Sequence, residues 1–285
     1  MYPALSEEDI GNILVPIPPP SFQEHIEKLV KEAHEKRKLT DQRYKEAEQL
    51  LYKELGIEKL ELTREKTFET SFFEVVKTMR FDSEYYQPKY TVLMKELDKL
   101  KSVENLEKIS KSIISGSYVK DYVPKGTLYL RVQNIQENEI DLSDIKFVNV
   151  EKSQIPEKIR VKPNDVLLTR TGTTGVAFVA TKELEGAVIS QHLTRIVLQN
   201  NINPDYVAVC LNSQICRLQM ERPLAGSLQK ELIHVVMKSI KIPILSQAIQ
   251  EKIAEKIKES LELRKEAKSL LDQAKTEVEE LIEEG

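Results

Sequence analysis

The sequence predicts an α+β protein in which one globular domain with a meandering β-sheet is flanked by two long antiparallel coiled-coil helices. Three observations favour this fold class. A proline-led segment that runs into a charged heptad pattern occurs near each end of the 285-residue chain. Between the two copies, short runs of alternating apolar and polar residues are bounded by turn residues. The hydrophobic content of 40% is sufficient for a buried core.

The two proline-led segments form a repeat, in which matching residues are separated by a constant spacing along the chain. Ten positions of the first copy are identical in the second. They are Pro16, Ile17, Gln23, Glu24, Ile26, Lys31, Glu32, Glu35, Arg37 and Lys38, matched by Pro243, Ile244, Gln250, Glu251, Ile253, Lys258, Glu259, Glu262, Arg264 and Lys265. Self-similarity at a fixed period indicates two copies of one structural unit. We therefore expect two similar helices on either side of an unlike middle domain.

Each copy has a helix start and a heptad seam. In the first, Ser21 and Glu24 form a capping-box pattern after the prolines. Small and apolar residues then recur at steps of three and four, interrupted by Arg37 and Arg264 at matching positions. The seams are Ile26, Val30, Ala33, Arg37, Thr40, Tyr44, Ala47, Leu51 and Ile253, Ile257, Ser260, Arg264, Ala267, Leu271, Ala274, Val278, Leu281. Helices of about 35 residues span about 50 Å and need a partner helix. The partner is either the other helix of the same chain or, in addition, a helix of another chain.

The middle of the chain contains strand and turn signals in a regular order. A short helix is expected up to Leu100, and Gly56 is expected to end the first long helix. The predicted strands and their connections are Ile113–Ser117, Thr127–Ile135, Lys146–Val150, Val166–Leu168, the glycine loop Thr171–Gly175, the hairpin partner Val176–Ala180 and Ile189–Leu198. A helix over Pro204–Gln219 and a strand over Ile233–Ile244 complete the domain.

Composition excludes several classes of protein. No run of about 18 apolar residues is present, and the first residues do not have the pattern of a signal peptide. Cys210 and Cys216 are too few for a disulfide framework and are expected to be small buried hydrophobes in a reducing, cytoplasmic compartment. The net charge is −4, with +4 over residues 66–245 and −8 over the rest, so the middle domain is better suited to a polyanion than the flanks.

Signatures of catalysis are absent from the sequence. Asn203–Tyr206 resembles an amino-methyltransferase motif only superficially, since no glycine-rich cofactor loop accompanies it. There is no phosphate-binding loop for ATP, and Asp165 lacks the downstream partners of a nuclease site. His25 and His34 lie on the charged helix without further metal ligands. A non-catalytic chain without its own metal or cofactor is expected.

The order of motifs resembles the DNA specificity subunit of type I restriction-modification systems. The matching segments are Arg80–Tyr90, Tyr129–Ile135, Gly172–Gly175, Ser190–Leu193, Gly226–Gln229 and Ile242–Ile244. The resemblance implies a half-size subunit with one target-recognition domain. Its expected domains are 1–20, the remnant of a preceding recognition domain and a Pro-rich turn; 21–62, the first long helix; 63–245, the target-recognition domain; and 246–285, the second long helix.

The resemblance also implies partners. We expect double-stranded DNA, modification (methyltransferase) subunits that dock on the long helices, and indirectly the restriction subunit. S-adenosylmethionine, ATP and Mg are then expected on those subunits. Two copies are expected to form an antiparallel homodimer that reads an interrupted palindrome. A helix of about 50 Å would limit the separation of its half-sites to roughly 15 base pairs. The alternatives are a coiled-coil adaptor that binds only protein and a silent specificity-gene fragment.

Polar residues at turns and strand ends are the candidates for DNA contact, because base edges are read by hydrogen-bonding side chains and affinity comes from phosphate contacts. The candidates are Arg131, Gln133, Asn134, Lys162, Arg170, Thr171, Thr173, Thr174, Gln191 and His192. For each, a purely structural role in a hairpin turn or sheet is the alternative. Further lysines and one arginine could neutralise phosphates, namely Lys120, Lys125, Lys158 and Arg160.

Overall fold

The computed structural model describes residues 6, 10–13, 15–151, 155–226 and 231–284. Its helices are α1 (Pro20–Leu55), α2 (Phe72–Thr78), α3 (Pro88–Lys99), α4 (Leu106–Ile109), α5 (Pro204–Asn212), α6 (Gln214–Leu224), α7 (His234–Ser239) and α8 (Gln247–Glu284). Its strands are β1 (Val103–Asn105), β2 (Ser110–Ser115), β3 (Thr127–Leu130), β4 (Ile135–Gln136), β5 (Glu139–Ile140), β6 (Lys146–Val148), β7 (Val166–Thr169), β8 (Ala177–Val179), β9 (Val188–Ile189), β10 (Leu193–Leu198) and β11 (Lys241–Pro243). The predicted α+β class is confirmed.

The chain divides into two compact units. The helical unit consists of residues 1–42 and 259–285, and the globular unit consists of residues 43–258. The globular unit therefore takes in the last turns of α1 and the first turns of α8, in addition to the predicted recognition domain at 63–245. No helix among the described residues is long and apolar enough to span a membrane.

In the helical unit, α1 and α8 run antiparallel as predicted. The Nζ of Lys36 lies 2.6 Å from a carboxylate oxygen of Glu266, and the hydroxyl of Ser260 donates a hydrogen bond of 2.9 Å to the carbonyl oxygen of Thr40. Nearer the start of α1, a ring nitrogen of His25 lies 2.8 Å from a carboxylate oxygen of Glu277. Rising numbers on α1 are thus matched by falling numbers on α8. The two helices pair within one chain.

Small residues line the contact between these helices. Ala33, Ser260 and Ala267 are at most 1% exposed, so the backbones approach closely at the centre of the seam. The prediction that arginines interrupt the seam was wrong for Arg37, whose side chain is exposed, whereas Arg264 is partly covered. A guanidinium is difficult to accommodate beside alanines, because burying its charge without a partner is unfavourable.

The start of α1 differs from the prediction, and its end agrees with it. The helix begins at Pro20, so Ser21 lies inside the first turn and is not the N-cap. The backbone N–H groups of Phe22 and Gln23 instead donate to the carbonyl oxygen of Pro19. At the other end, Gly56 has φ = +69°, the left-handed conformation in which glycine is favoured after a helix.

In its described part, the globular unit contains four small sheets. The largest has the strand order β2-β10-β7-β8 with antiparallel neighbours, and a second has the order β6-β3-β9 with β3 and β9 parallel. Two-stranded pairs are formed by β4 with β5 and by β1 with β11. Because β10 lies between β2 and β7, the strand order is not sequential. The β-structure is thus divided among four sheets of two to four strands in the described part of the unit.

Three predicted elements of this unit differ in detail. The strand predicted over Thr127–Ile135 ends at Leu130 and turns into a short 3-10 helix. The helix predicted over Pro204–Gln219 is broken at Ser213 into α5 and α6. The prediction of a strand over Ile233–Ile244 was wrong for its first half, which forms α7. Short apolar runs do not distinguish strand from buried helix by periodicity alone.

The core of the globular unit is centred on β7, all of whose residues are buried. Next to this strand, the guanidinium of Arg195 on β10 pairs with the carboxylate of Asp165, and the two side chains are 8% and 5% exposed. The backbone N–H of Lys162 donates to the same carboxylate, so the buried charges are satisfied. Cys210 and Cys216 are free and buried, as predicted, and burial raises the pKa of the Cys210 thiol to about 12.

Candidate nucleic-acid interface

The strand pairing brings several loops to one edge of the globular unit. In the large sheet, the end of β2 pairs with the start of β10, since Ser115 lies opposite Thr194. The end of β7 lies at the same place, since Thr169 is opposite Leu193. Parallel β3 and β9 also end side by side, and Leu130 pairs with Ile189. The loops that follow β2, β3, β7 and β9 therefore leave the sheets at neighbouring positions.

These loops enclose a groove of about 410 Å³, which we call the loop groove. Its lining residues are Tyr118, Val119, Tyr122, Tyr129, Arg131, Val132, Gln133, Thr171, Gly172, Ser190, Gln191 and His192. The hydroxyl oxygen of Ser190 is buried and has no hydrogen-bond partner in the described part of the chain. A groove lined by aromatic rings, amides, an imidazole and a guanidinium can stack on bases and hydrogen-bond to their edges.

The loop between β3 and β4 holds Arg131 and Gln133 at the groove. A guanidinium N–H of Arg131 donates to a carboxylate oxygen of Asp144 at 2.8 Å, and the side-chain amide of Gln133 donates to the same oxygen at 3.0 Å. The ammonium of Lys146 lies 2.9 Å from the other carboxylate oxygen. Hydrogen bonds from Lys146 and Arg131 lower the pKa of Asp144 to about 2. The carboxylate therefore stays ionised and orients both polar side chains.

Asn134 is held by the backbone of its own loop. It is 2% exposed, its side-chain oxygen accepts a hydrogen bond from the backbone N–H of Arg131, and its amide nitrogen donates to the carbonyl oxygen of Asp141. Both functional ends of the side chain are thus engaged with the backbone. Asn134 shapes the loop from inside and presents no free group to a ligand.

The glycine loop between β7 and β8 is shaped by its own hydrogen bonds. Gly172 and Gly175 have φ values of +75° and +87°, and the backbone N–H of Gly175 donates to the carbonyl oxygen of Thr169 at 2.9 Å. Only Thr171 and Gly172 of this loop line the groove. Thr173 is exposed and Thr174 half-buried at the hairpin tip, outside the groove lining.

Arg170 lies at the base of the glycine loop, behind the groove wall. Its guanidinium donates to a carboxylate oxygen of Glu231 at 2.6 Å and to the hydroxyl of Ser115 at 2.7 Å, and its side chain is 15% exposed. The Ser115 hydroxyl also shares a hydrogen bond of 2.6 Å with His234. Burial, followed by the nearby charges of Arg170 and Lys238, lowers the pKa of His234. Arg170 therefore joins the loop to the segment that precedes α7.

The short connection between β9 and β10 supplies the last two predicted groove residues. Gln191 and His192 are both exposed, and the imidazole of His192 is hydrogen-bonded to the hydroxyl of Thr171. Lys162 does not belong to this group. It precedes β7, whereas the groove follows β7, so its exposed side chain lies at the opposite end of the strand.

Of the ten predicted residues, the structure thus brings together Arg131, Gln133, Thr171, Gln191 and His192 in the loop groove, with Arg170 behind it. The prediction missed the tyrosines. Tyr118 and Tyr122 are 68% and 46% exposed, and the ring centroid of Tyr122 lies 5.9 Å from that of buried Tyr129. Two tyrosines four positions apart beside Lys120 were the available signal, since aromatic and basic residues in alternation are typical of nucleic-acid surfaces.

No group of three or more potential metal ligands from His, Cys, Asp and Glu occurs among the residues that the structure describes. The polar groups of the loop groove are hydrogen-bond donors, acceptors and aromatic rings. These groups are suited to binding a ligand through hydrogen bonds and ring stacking.

Comparisons with solved structures identify a shared fold. The chain is similar to a type I restriction-modification S subunit from M. genitalium, with a TM-score of 0.50 and 16% identity over 90% of this chain and 56% of that one. It also matches an HsdS subunit from Thermoanaerobacter tengcongensis, with a TM-score of 0.43 and 16% identity over 96% of this chain and 63% of that one. The chain therefore spans about 56% to 63% of the length of these subunits. No curated protein matches it.

A family model gives the decisive comparison. The model described as the type I restriction modification DNA specificity domain matches residues 95–272, which is more than half of the chain. The matched stretch contains β1–β11, the loop groove and the first part of α8. Its family is defined by DNA specificity, in agreement with the expectation of a non-catalytic subunit. The chain belongs to the type I restriction-modification DNA specificity family.

Proposed function

We propose that the globular unit binds double-stranded DNA through the loop groove and reads one half-site of a bipartite target. The observation that supports this most directly is the convergence of four strand ends, which gathers Arg131, Gln133, Gln191 and His192 with two exposed tyrosines. Amide and guanidinium groups can make paired hydrogen bonds to adenine and guanine edges in the major groove. Membership of the DNA specificity family supports the same reading.

The ion pairs at the groove indicate how the arginines act. Arg131 shares the carboxylate of Asp144 with Lys146, and Arg170 is paired with Glu231, so part of the positive charge is neutralised before any ligand binds. Such arginines would orient specific hydrogen bonds to the DNA more than they would strengthen its overall electrostatic attraction. Phosphate contacts then come from exposed lysines on the rim, and Lys120 is the nearest in sequence to the groove lining. Recognition and affinity would thus be carried by different residues.

Photo-cross-linking tests the location of the DNA. A photoreactive phenylalanine analogue placed at Tyr118 should cross-link to duplex DNA, because this side chain is exposed on the groove lining. The same analogue at Lys162, at the opposite end of β7, is the matched control and should not cross-link. Equal cross-linking from both positions would show that DNA binds without using the loop groove.

We further propose that the chain docks modification subunits, which would carry the S-adenosylmethionine chemistry. An exposed apolar cluster on and after α2 supports a protein contact in addition to the predicted docking on the long helices. It contains Phe72, Phe73, Met79 and Phe81, each at least 71% exposed. Exposed apolar side chains in such density usually mark an interaction surface. Phe72→Ser with Phe73→Ser should leave the thermal stability of the free chain unchanged, since neither ring is buried, and should abolish co-purification with the modification subunit. Co-purification at the wild-type level would contradict docking at α2.

The homodimer stays a prediction. Within one chain α1 and α8 already cover the small residues of the seam, including Ala33 and Ala267. Two copies would therefore associate through the outer faces of the helices or exchange helices between chains. Sedimentation of the chain alone and with DNA measures this, and a monomer in both conditions would exclude a homodimer. We place the protein in the cytoplasm, where its DNA target lies.

A further inference from the structure

The loop groove is apolar at its bottom and polar at its rim. Val119 and Tyr129 line it and are 6% and 3% exposed, so they lie at its bottom. Gln133 and Gln191 line it and are exposed, so they lie at its rim. Val132 is half-buried between these levels. A ligand that fits the groove must therefore carry an apolar group next to hydrogen-bonding groups.

Val132 is fixed by its own loop and by the neighbouring glycine loop. It opens the short 3-10 helix Val132–Asn134, and its carbonyl oxygen accepts a hydrogen bond from the backbone N–H of Ile135. A β-carbon at Gly172 would lie 3.3 Å from a methyl carbon of Val132. The lack of a side chain at Gly172 thus leaves room for this methyl group in the groove wall. Val132 is therefore a placed apolar contact within the lining.

The bottom of the groove also holds a hydroxyl group that lacks a partner. The hydroxyl of Tyr129 is engaged, since it donates to the carbonyl oxygen of Ser117 at 2.8 Å. Ser190 lies at the same depth and is 4% exposed, and its hydroxyl oxygen has no hydrogen-bond partner among the described residues. Leaving a buried polar group unpaired costs free energy. A ligand with a polar atom beside its apolar group would satisfy this hydroxyl.

A DNA duplex presents such a combination at one of its four bases. In the major groove the C5-methyl group of thymine lies beside the O4 acceptor, whereas unmodified adenine, guanine and cytosine carry no methyl group. The faces of paired bases are covered by their neighbours in the stack, so side chains that enter the groove of an intact duplex meet base edges. Sugar carbons are apolar too, but they lie along the backbones and carry no sequence information.

We propose that the loop groove reads a thymine by contact between its C5-methyl group and the apolar side chains of Val119, Tyr129 and Val132. The hydroxyl of Ser190 is then the partner of the thymine O4. This inference rests on the proposed binding of DNA in the loop groove. It makes Val132 a specificity-determining residue, although the sequence candidates were all polar or glycine-loop residues. Removal of the methyl group should lower the affinity about fourfold, the effect of one buried methyl group.

Two random duplex libraries test this assignment with the full chain and its modification subunit. One library contains thymidine, and the other contains deoxyuridine in its place, which pairs in the same way and lacks only the methyl group. The wild type should select a motif with a fixed T·A pair from the first, and the second should enrich that pair about fourfold less. Val132→Thr, which replaces a methyl group by a hydroxyl, should select the weakened motif from both libraries. Val179→Thr is the matched control, because Val179 is half-buried at the opposite end of the β7–β8 hairpin, and should select as the wild type does.

A single duplex with the selected motif isolates the methyl group. At the fixed pair, thymine is compared with uracil and 5-methylcytosine with cytosine, each opposite its complement, by fluorescence anisotropy. The methylated base of each pair should bind the wild type about fourfold more tightly, and Val132→Ala, which adds no polar group, should bring both ratios close to one. Identical motifs from the two libraries, or methyl ratios unchanged in Val132→Ala, would overturn the proposal and leave DNA reading intact. No motif from either library would refute DNA reading and, with it, this inference.

Discussion

A lysine on the rim of the loop groove should determine part of the salt dependence of DNA binding. Lys120 is exposed between the groove-lining residues Val119 and Tyr122 and makes no ion pair with any described residue. Its ammonium is therefore available to a phosphate, unlike the guanidinium of Arg131, which is paired with Asp144. We expect Lys120→Ala to remove one phosphate contact without disturbing the fold.

The magnitude follows from counterion release. Each phosphate contact contributes about 0.9 to the slope of log K against log salt concentration, so the slope should fall by about 0.9 in Lys120→Ala. The affinity should drop about eightfold at 0.1 M salt and about threefold at 0.3 M, because the contribution of the contact shrinks with rising salt. Fluorescence anisotropy with a labelled duplex over this range of salt measures both quantities.

The control for this experiment is Lys162→Ala. It removes the same charge from an exposed position at the opposite end of β7, so it should leave the slope unchanged. Equal slopes for wild type and Lys120→Ala would refute the assignment of the rim lysine. An equal loss of slope in both variants would show that DNA responds only to the net charge of the domain.

Three further perturbations test other parts of the structure. Arg131→Ala should leave the salt slope unchanged and reduce discrimination at one base pair by about 1–3 kcal/mol, measured by comparing the preferred duplex with single substitutions. Burial raises the pKa of Asp205 to about 6, although the charge of Lys258 opposes the shift, so ionisation above pH 6 costs the folded state up to about 3 kcal/mol. Asp205→Asn should therefore raise the melting temperature at pH 8 and leave it unchanged below about pH 4, and an equal gain at both pH values would refute this. Ala267→Leu should destabilise the helical unit by about 1–3 kcal/mol in thermal melting, whereas Lys268→Leu on the exposed face should have little effect.

Much of the helical architecture was predictable, because it follows from a periodic pattern in the sequence. The constant spacing of the repeat placed both long helices, and the heptad steps identified Ala33, Ala267 and Ala274 as contact residues. The exposed side chain of Arg37 was not predictable, since a heptad step fixes the mean direction of a position but not the path of a long side chain. The predicted cap at Ser21 failed because a backbone turn from Pro19 performs the same role.

The structure of the globular unit was harder to predict, because its contacts join residues that are far apart in the sequence. The sequence named Arg131, Gln133 and Gln191 as candidates, and the structure brings them together because strand ends meet at one sheet edge. Their proximity was not predicted, since Arg131 and Gln133 were expected inside a strand over Thr127–Ile135. The place of Lys162 outside the loop groove follows from its position before β7, since the groove residues follow the strand ends. Asn134 could not be excluded either, because an amide that caps backbone groups has the same sequence signature as an amide that reads bases.

Selection from a random duplex library tests the central claim, that the loop groove reads DNA sequence, most directly. The wild-type chain, alone and with its modification subunit, is compared with a Gln191→Ala, His192→Ala variant whose substitutions lie on the exposed groove lining. We predict that the wild type enriches a short fixed motif and that the variant relaxes it at some positions while retaining duplex binding. No enriched motif for the wild type in either condition, or an identical motif for the variant, would contradict the account.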